Sequence, residues 1–95
     1  MAAPNGWQLA GRWTAHAAAV RRLRLLPPGL LASTGEDGRV RLWQLAMLQP
    51  FPARLRAESR HGNFATDVVA LRDGYASAGY DGCLLHHPWP SDSPS

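Results

Sequence analysis

The sequence predicts an all-β chain made of two copies of one four-stranded antiparallel module, and three observations carry that prediction. Short runs alternate apolar and polar residues with a period of two, as in Leu23-Arg24-Leu25 and Arg39-Val40-Arg41-Leu42-Trp43, which is the pattern of half-buried strands. Clusters of Pro, Gly and Asp separate these runs at hairpin distances. The chain also repeats itself. Leu31-Ala32-Ser33-Thr34-Gly35-Glu36-Asp37-Gly38 aligns with Tyr75-Ala76-Ser77-Ala78-Gly79-Tyr80-Asp81-Gly82, sharing Ala, Ser, Gly, Asp and Gly at one constant offset of 44 residues.

Taken in order, Val20 to Leu26 is the first strand, ended by Pro27-Pro28-Gly29. A helix over Ala17 to Leu26 is its competitor, since Ala, Leu and Arg all favour helix. Leu30 to Thr34 leads into the turn Gly35-Glu36-Asp37-Gly38, and Arg39 to Trp43 returns from it as a hairpin. Pro50 and Pro52 mark a connection. Ala53 to Ala57 reads as a further strand at a sheet edge, where missing ladder bonds are tolerated. His16 and His61 stand 21 and 20 residues before Asp37 and Asp81, so the second half follows the same register.

With 95 residues, 45% hydrophobic and 18% charged, the chain has room for one small domain with a thin core. No apolar run is long enough for a membrane-spanning helix, because Arg12, Arg21, Arg22 and Arg24 interrupt the most apolar stretch. Cys83 is the only cysteine, which excludes an internal disulfide and a four-cysteine zinc site. All ten basic residues are arginines, the net charge is +3, and no acid precedes Glu36. A mitochondrial transit peptide is therefore a competing reading of the N-terminal segment, although the strand and turn positions of those arginines oppose it.

A repeat near 44 residues falls in the range of four-stranded propeller blades. His16 to Trp43 closely resembles a WD repeat: a histidine, apolar Val20, Leu23 and Leu25, a Pro-Pro-Gly turn, Leu-Ala-Ser, a Gly-Glu-Asp-Gly turn and Val-Arg-Leu-Trp. His61 to His87 resembles a degenerate second copy, and Trp7 to Trp13 resembles the outer strand that precedes such a repeat. Ala15 and Arg60 replace the usual glycine before the histidine, Gln44 replaces the aspartate after the tryptophan, and His87 stands where the second copy would carry tryptophan. The expected organisation is a disordered 1–6, an outer strand over 7–13, repeats over 14–57 and 58–87, and a disordered tail over 88–95 with a Ser-Pro phosphorylation motif at Ser93. About two four-stranded blades cannot close, since a propeller needs about four to eight. The expected fold is a partial β-propeller, a fragment or short form of a longer protein or one completed by another chain.

The resemblance implies a structural relay in which Asp37 accepts from His16, Ser33 donates to His16 and accepts from Trp43, repeated in reduced form by His61, Ser77 and Asp81. His-Ser-Asp also serves nucleophilic hydrolysis. Ser33 sits mid-strand with no Gly-x-Ser-x-Gly around it, so no catalytic residue is expected. Cys83, His86 and His87 do not suit a metal, because adjacent strand residues point to opposite faces. No cofactor is expected, and Gly35 and Gly38 lack the Lys-Ser/Thr of a phosphate loop. Arg21, Arg22, Arg24, Arg39 and Arg41 form a candidate partner-contact surface. By resemblance the expected function is a noncatalytic, cytoplasmic or nuclear scaffold or adaptor that binds other proteins within a multisubunit complex. Cullin-adaptor docking is not implied, because Gln44 and Met47 hold the two places that role uses. The alternative is an RNA-contacting accessory subunit supporting an RNA-modifying enzyme.

Overall fold

The computed structural model describes residues 9, 11–27, 29–45 and 53–90. They form seven strands: β1 (Val20–Leu26), β2 (Leu30–Gly35), β3 (Arg39–Gln44), β4 (Arg54–Arg60), β5 (Ala65–Leu71), β6 (Gly74–Gly79) and β7 (Leu84–Pro88). Strands β1 to β4 make one antiparallel sheet in sequential order, and β5 to β7 make a second of three strands. The chain is a partial β-propeller of about two blades that does not close, with three strands rather than four in the second blade among the described residues.

Residues 20–26 are strand, not helix. Their propensity for helix yields to ladder bonds with β2, in which Leu23 faces Ser33 and Leu25 faces Leu31. The fourth strand runs three residues beyond the expected Ala57, because Val40 and Arg39 offer further ladder partners to Ser59 and Arg60. It lies at the edge of its sheet. In the segment 7–13, residues 11–13 run without strand pairing and Trp7 lies outside the described residues. In the segment 88–95, Pro88 ends β7, and the Trp89 indole lies 5.9 Å from the Tyr75 ring and donates to the Arg72 carbonyl at 3.4 Å. An aromatic side chain with core to cover is ordered by it. Ser93 lies outside the described residues.

The repeat extends to irregularities. A register shift breaks β1 between Val20 and Arg22, and its counterpart breaks β5 between Ala65 and Asp67. The turn amides match as well: Gly38 N–H donates to Gly35 at 3.1 Å and Gly82 N–H to Gly79 at 3.2 Å.

One core joins the sheets. Leu26, Leu30, Ala32, Val40 and Leu42 of the first sheet pack on Ala65, Val68 and Tyr75 of the second. Arg24 bridges the same seam, with Nε 3.1 Å and Nη2 3.3 Å from the Asp67 carboxylate. Exposed pairs of this kind contribute under about 1 kcal/mol, so apolar burial dominates. The turn of the first sheet holds the entry to the second: His61 N–H donates to the Gly38 carbonyl at 2.7 Å. Gly38 has φ +83°, and a Cβ there would meet the His61 carbonyl oxygen at 2.8 Å.

Gly29 also has positive φ, at +74°, but its Cβ would meet nothing within 4 Å. Both positions charge an alanine the left-handed penalty of about 1–2 kcal/mol. Gly38→Ala adds a clash with the backbone at the joint between sheets. It is expected to lower the melting temperature clearly more than Gly29→Ala, measured by circular dichroism; equal losses would show that the joint does not depend on this approach.

Candidate functional site

The clearest polar constellation lies at one end of each sheet, where a loop histidine enters beneath a turn. In the first sheet His16 precedes β1, Ser33 lies in β2, Asp37 in the β2–β3 turn and Trp43 near the end of β3. His16 is 5% exposed and Ser33 1%. His16 Nδ1 lies 3.0 and 3.2 Å from the two Asp37 oxygens, and His16 Nε2 lies 2.7 Å from Ser33 Oγ. The Trp43 indole N–H donates to Ser33 Oγ at 2.9 Å. One proton assignment satisfies all four groups: Nδ1–H donates to the carboxylate, Ser33 O–H donates to Nε2, and Ser33 oxygen accepts from the indole.

Two contributors carry no side-chain signal in the sequence. The Ala17 and Arg39 amides donate to Asp37 at 3.0 Å each. Burial alone would raise the Asp37 carboxyl, but these amides and His16 outweigh it and hold the group below the usual carboxylate range. Gly35 makes room: a Cβ there would stand 2.5 Å from His16 Nδ1. Gly79 does the same for the second imidazole, at 2.6 Å from His61 Nδ1. The matched glycines of the repeat thus sit where the imidazoles pack.

In the second sheet His61 Nδ1 lies 3.1 Å from Asp81 and Nε2 lies 2.8 Å from Ser77 Oγ. The Gly62 amide chiefly, with help from Cys83 and His61, lowers the Asp81 carboxyl. The fourth place differs. His87 lies opposite Tyr75, with ring centroids 5.1 Å apart, and its enclosed Nε2 finds no hydrogen-bond partner. Burial first, then the neighbouring His61 and His86, push its pKa down.

This site is not built for hydrolysis. Ser33 Oγ is buried between a donor and an acceptor, whereas a nucleophile needs an open path to a carbonyl and adjacent oxyanion donors. Among the described residues no three His, Cys, Asp or Glu side chains group as metal ligands. Cys83 is exposed, and His86 turns to Asp73 at 3.2 Å rather than toward His87.

The five arginines do not share one face, since Arg24 pairs with Ala32 and Arg41 with Ser33, adjacent residues of β2, and they face acids of the same chain. Arg21 reaches Glu36 at 2.9 Å, Arg22 and Arg24 reach Asp67 at 3.5 and 3.1 Å, and Arg39 and Arg41 reach Glu58 at 3.9 and 2.7 Å. Arg41 also donates to the Ala15 carbonyl at 2.6 Å. It ties the segment before His16 to the sheet, a task that its alternating position in β3 did not reveal.

A sheet-rich fold with these elements fits a WD-repeat blade. The chain is 49% identical over 41 residues to Nucleoporin SEH1 of Chaetomium thermophilum, a WD-repeat protein. The match covers 39% of this chain and 8% of that protein. No family model matches the chain, and no solved structure matches it.

Two measurements follow. Asp37 holds a relay that ends on an indole and Asp81 one that does not. Asp37→Ala is expected to lower the melting temperature by about 5–10 °C, given about 1–3 kcal/mol for unpaired buried groups, and Asp81→Ala by less; equal losses would contradict the asymmetry. The His87 pKa is depressed, so its contribution is complete above the unfolded value of about 6.5 and is lost as pH falls below it. The depressed carboxylates act lower, losing their contribution only below about pH 4. His87→Leu should therefore leave stability flatter between pH 7 and 5 in urea titrations, without changing the acid transition beneath.

Proposed function

We propose that the chain is a noncatalytic protein-interaction scaffold or adaptor of WD-repeat type, acting within a multisubunit complex. The observation that carries this reading is the saturation of the His16–Ser33–Asp37–Trp43 set. Every donor and acceptor that chemistry would need is held by a neighbour, so these residues act as a lock between the entry segment, the hairpin turn and the last strand. A rigid sheet edged by turns is suited to present surface to a partner.

The partial match to a nucleoporin supports protein partners and a nuclear location. The chain spans 8% of that relative, so assembly into a particular complex is part of the proposal. The arginine surface supports protein over RNA as the contacted class. Its charges already face Glu36, Glu58 and Asp67, and an RNA phosphate would have to displace them.

The test is capture on the immobilised chain from nuclear extract across a salt series, with and without ribonuclease. A defined protein retained through about 0.5 M salt and indifferent to ribonuclease is the expected outcome. Binding that falls steeply with salt and vanishes with Arg22→Gln and Arg24→Gln would establish the RNA reading instead. Ester turnover abolished by Ser33→Ala in a folded chain would overturn both.

A further inference from the structure

Each sheet has two unlike faces, and the register assigns them. One carries the relay serine: Leu23, Leu25, Ser33 and Trp43 in the first sheet, and Val68, Tyr75, Ser77 and His87 in the second. The other is a plain aliphatic face, with Leu26, Ala32, Val40 and Leu42 in the first sheet and Leu71, Ala76, Ala78 and Leu84 in the second. The core of the chain is the aliphatic face of the first sheet laid on the relay face of the second. Among the described residues one face of each kind is therefore left over, the relay face of the first sheet being lined in part by Leu9, Gly11, Arg12 and Trp13. Six of the nine exposed large hydrophobics among the described residues fall on these two: Leu23, Leu25 and Leu55 on the relay face of the first sheet, Val69, Leu71 and Leu84 on the aliphatic face of the second.

We infer that the two open faces are mates, and that the chain closes into a ring with further copies of itself, the second sheet of one copy docking on the first sheet of the next. The internal seam is the template, for there the same two kinds of face already pack, with Ala32, Val40 and Leu42 fully buried beside a cleft lined by Leu26, Asp67 and Val68. Ala76 and Leu84 hold the places of Ala32 and Val40 in the strand register. Trp13 covers the Trp43 end of the open relay face, at 5.6 Å edge to face, and leaves the Leu25 end, 71% exposed, for the incoming Leu84, 82% exposed.

Area decides between a simple dimer and a ring. The smaller of the two mated faces has three strands, which at about 4.8 Å apart and six residues of about 3.3 Å give a contact of roughly 300 Å². A stable specific interface takes about 800 Å² from each partner. One such contact is weak by itself, whereas a ring makes two per copy and buries roughly 600 Å² of each, nearer that figure. The contact is head to tail, and such a contact makes a ring when its rotation returns to the start. Four to eight blades make rings of about two to four copies. This inference rests on the blade arrangement and not on the scaffold reading, so either can fail alone.

The experiment is sedimentation velocity with native mass spectrometry on the full chain over about 1–100 μM, with Leu25→Arg and Leu84→Arg as variants and near-ultraviolet circular dichroism as the check on folding. Both side chains are exposed, so each variant keeps its core; Val69→Arg replaces Leu84→Arg if that variant fails to fold. The wild type is expected as one discrete species of two to four chains, and each variant as monomer, weakened at least about a hundredfold, as for a central interface residue. Mixing the two variants one to one leaves a single intact pair of faces and is expected to give a heterodimer at about 100 μM. A monomeric wild type, a mixture without heterodimer, or an open-ended polymer would each overturn the inference. A monomer that still captured a protein partner would overturn the ring and leave the scaffold standing.

Discussion

An imidazole with both nitrogens engaged is the constraint on which each sheet depends. His16 reaches forward to a turn carboxylate and sideways to a mid-strand serine, joining parts of the chain 21 and 17 residues away. Ladder bonds alone leave a hairpin free to slide or fray at its turn. A side chain that must satisfy the turn and the strand together permits one register only, because any slip would strand a buried donor or acceptor. Gly35, the Ala17 amide and the Arg39 amide all serve that geometry.

The second copy shows what happens when one member changes. His61, Ser77 and Asp81 keep their distances within about 0.1 Å of the first set, so most of the lock does not need the indole. Where Trp43 of the first set donates to Ser33, His87 of the second is a ring stacked by Tyr75 with a nitrogen left unmatched. The two sheets therefore differ at this position, although their backbones repeat.

The arginines illustrate how a surface is shared between folding and contact. Their alternation with apolar residues makes them look like a free basic stripe. Instead Glu36, Glu58 and Asp67 lie within reach of them, Asp67 arriving from the other sheet. Three carboxylates thus serve five arginines, which divide between the two faces of the first sheet.

Local chemistry was legible in the residues themselves. Period-two alternation placed β1 and β3, the Gly and Asp pairs placed the turns, and the offset between Ser33 and Ser77 announced the duplication, because side-chain direction and turn geometry are properties of a few adjacent residues. The relay was visible as well, since its four residue types and spacings resemble a known motif. What adjacency could not fix is which face of each sheet meets the other. That was decided by packing: Ala32, Val40 and Leu42 turn toward Val68 and Tyr75, while equally apolar Leu23 and Leu25 face outward. Strand propensity assigns no preference between two apolar faces; only the shape and burial of the neighbouring sheet does. The extra length of β4, the amides on Asp37 and the acids on the arginines are of the same kind, set by groups that the fold brings together from distant parts of the chain.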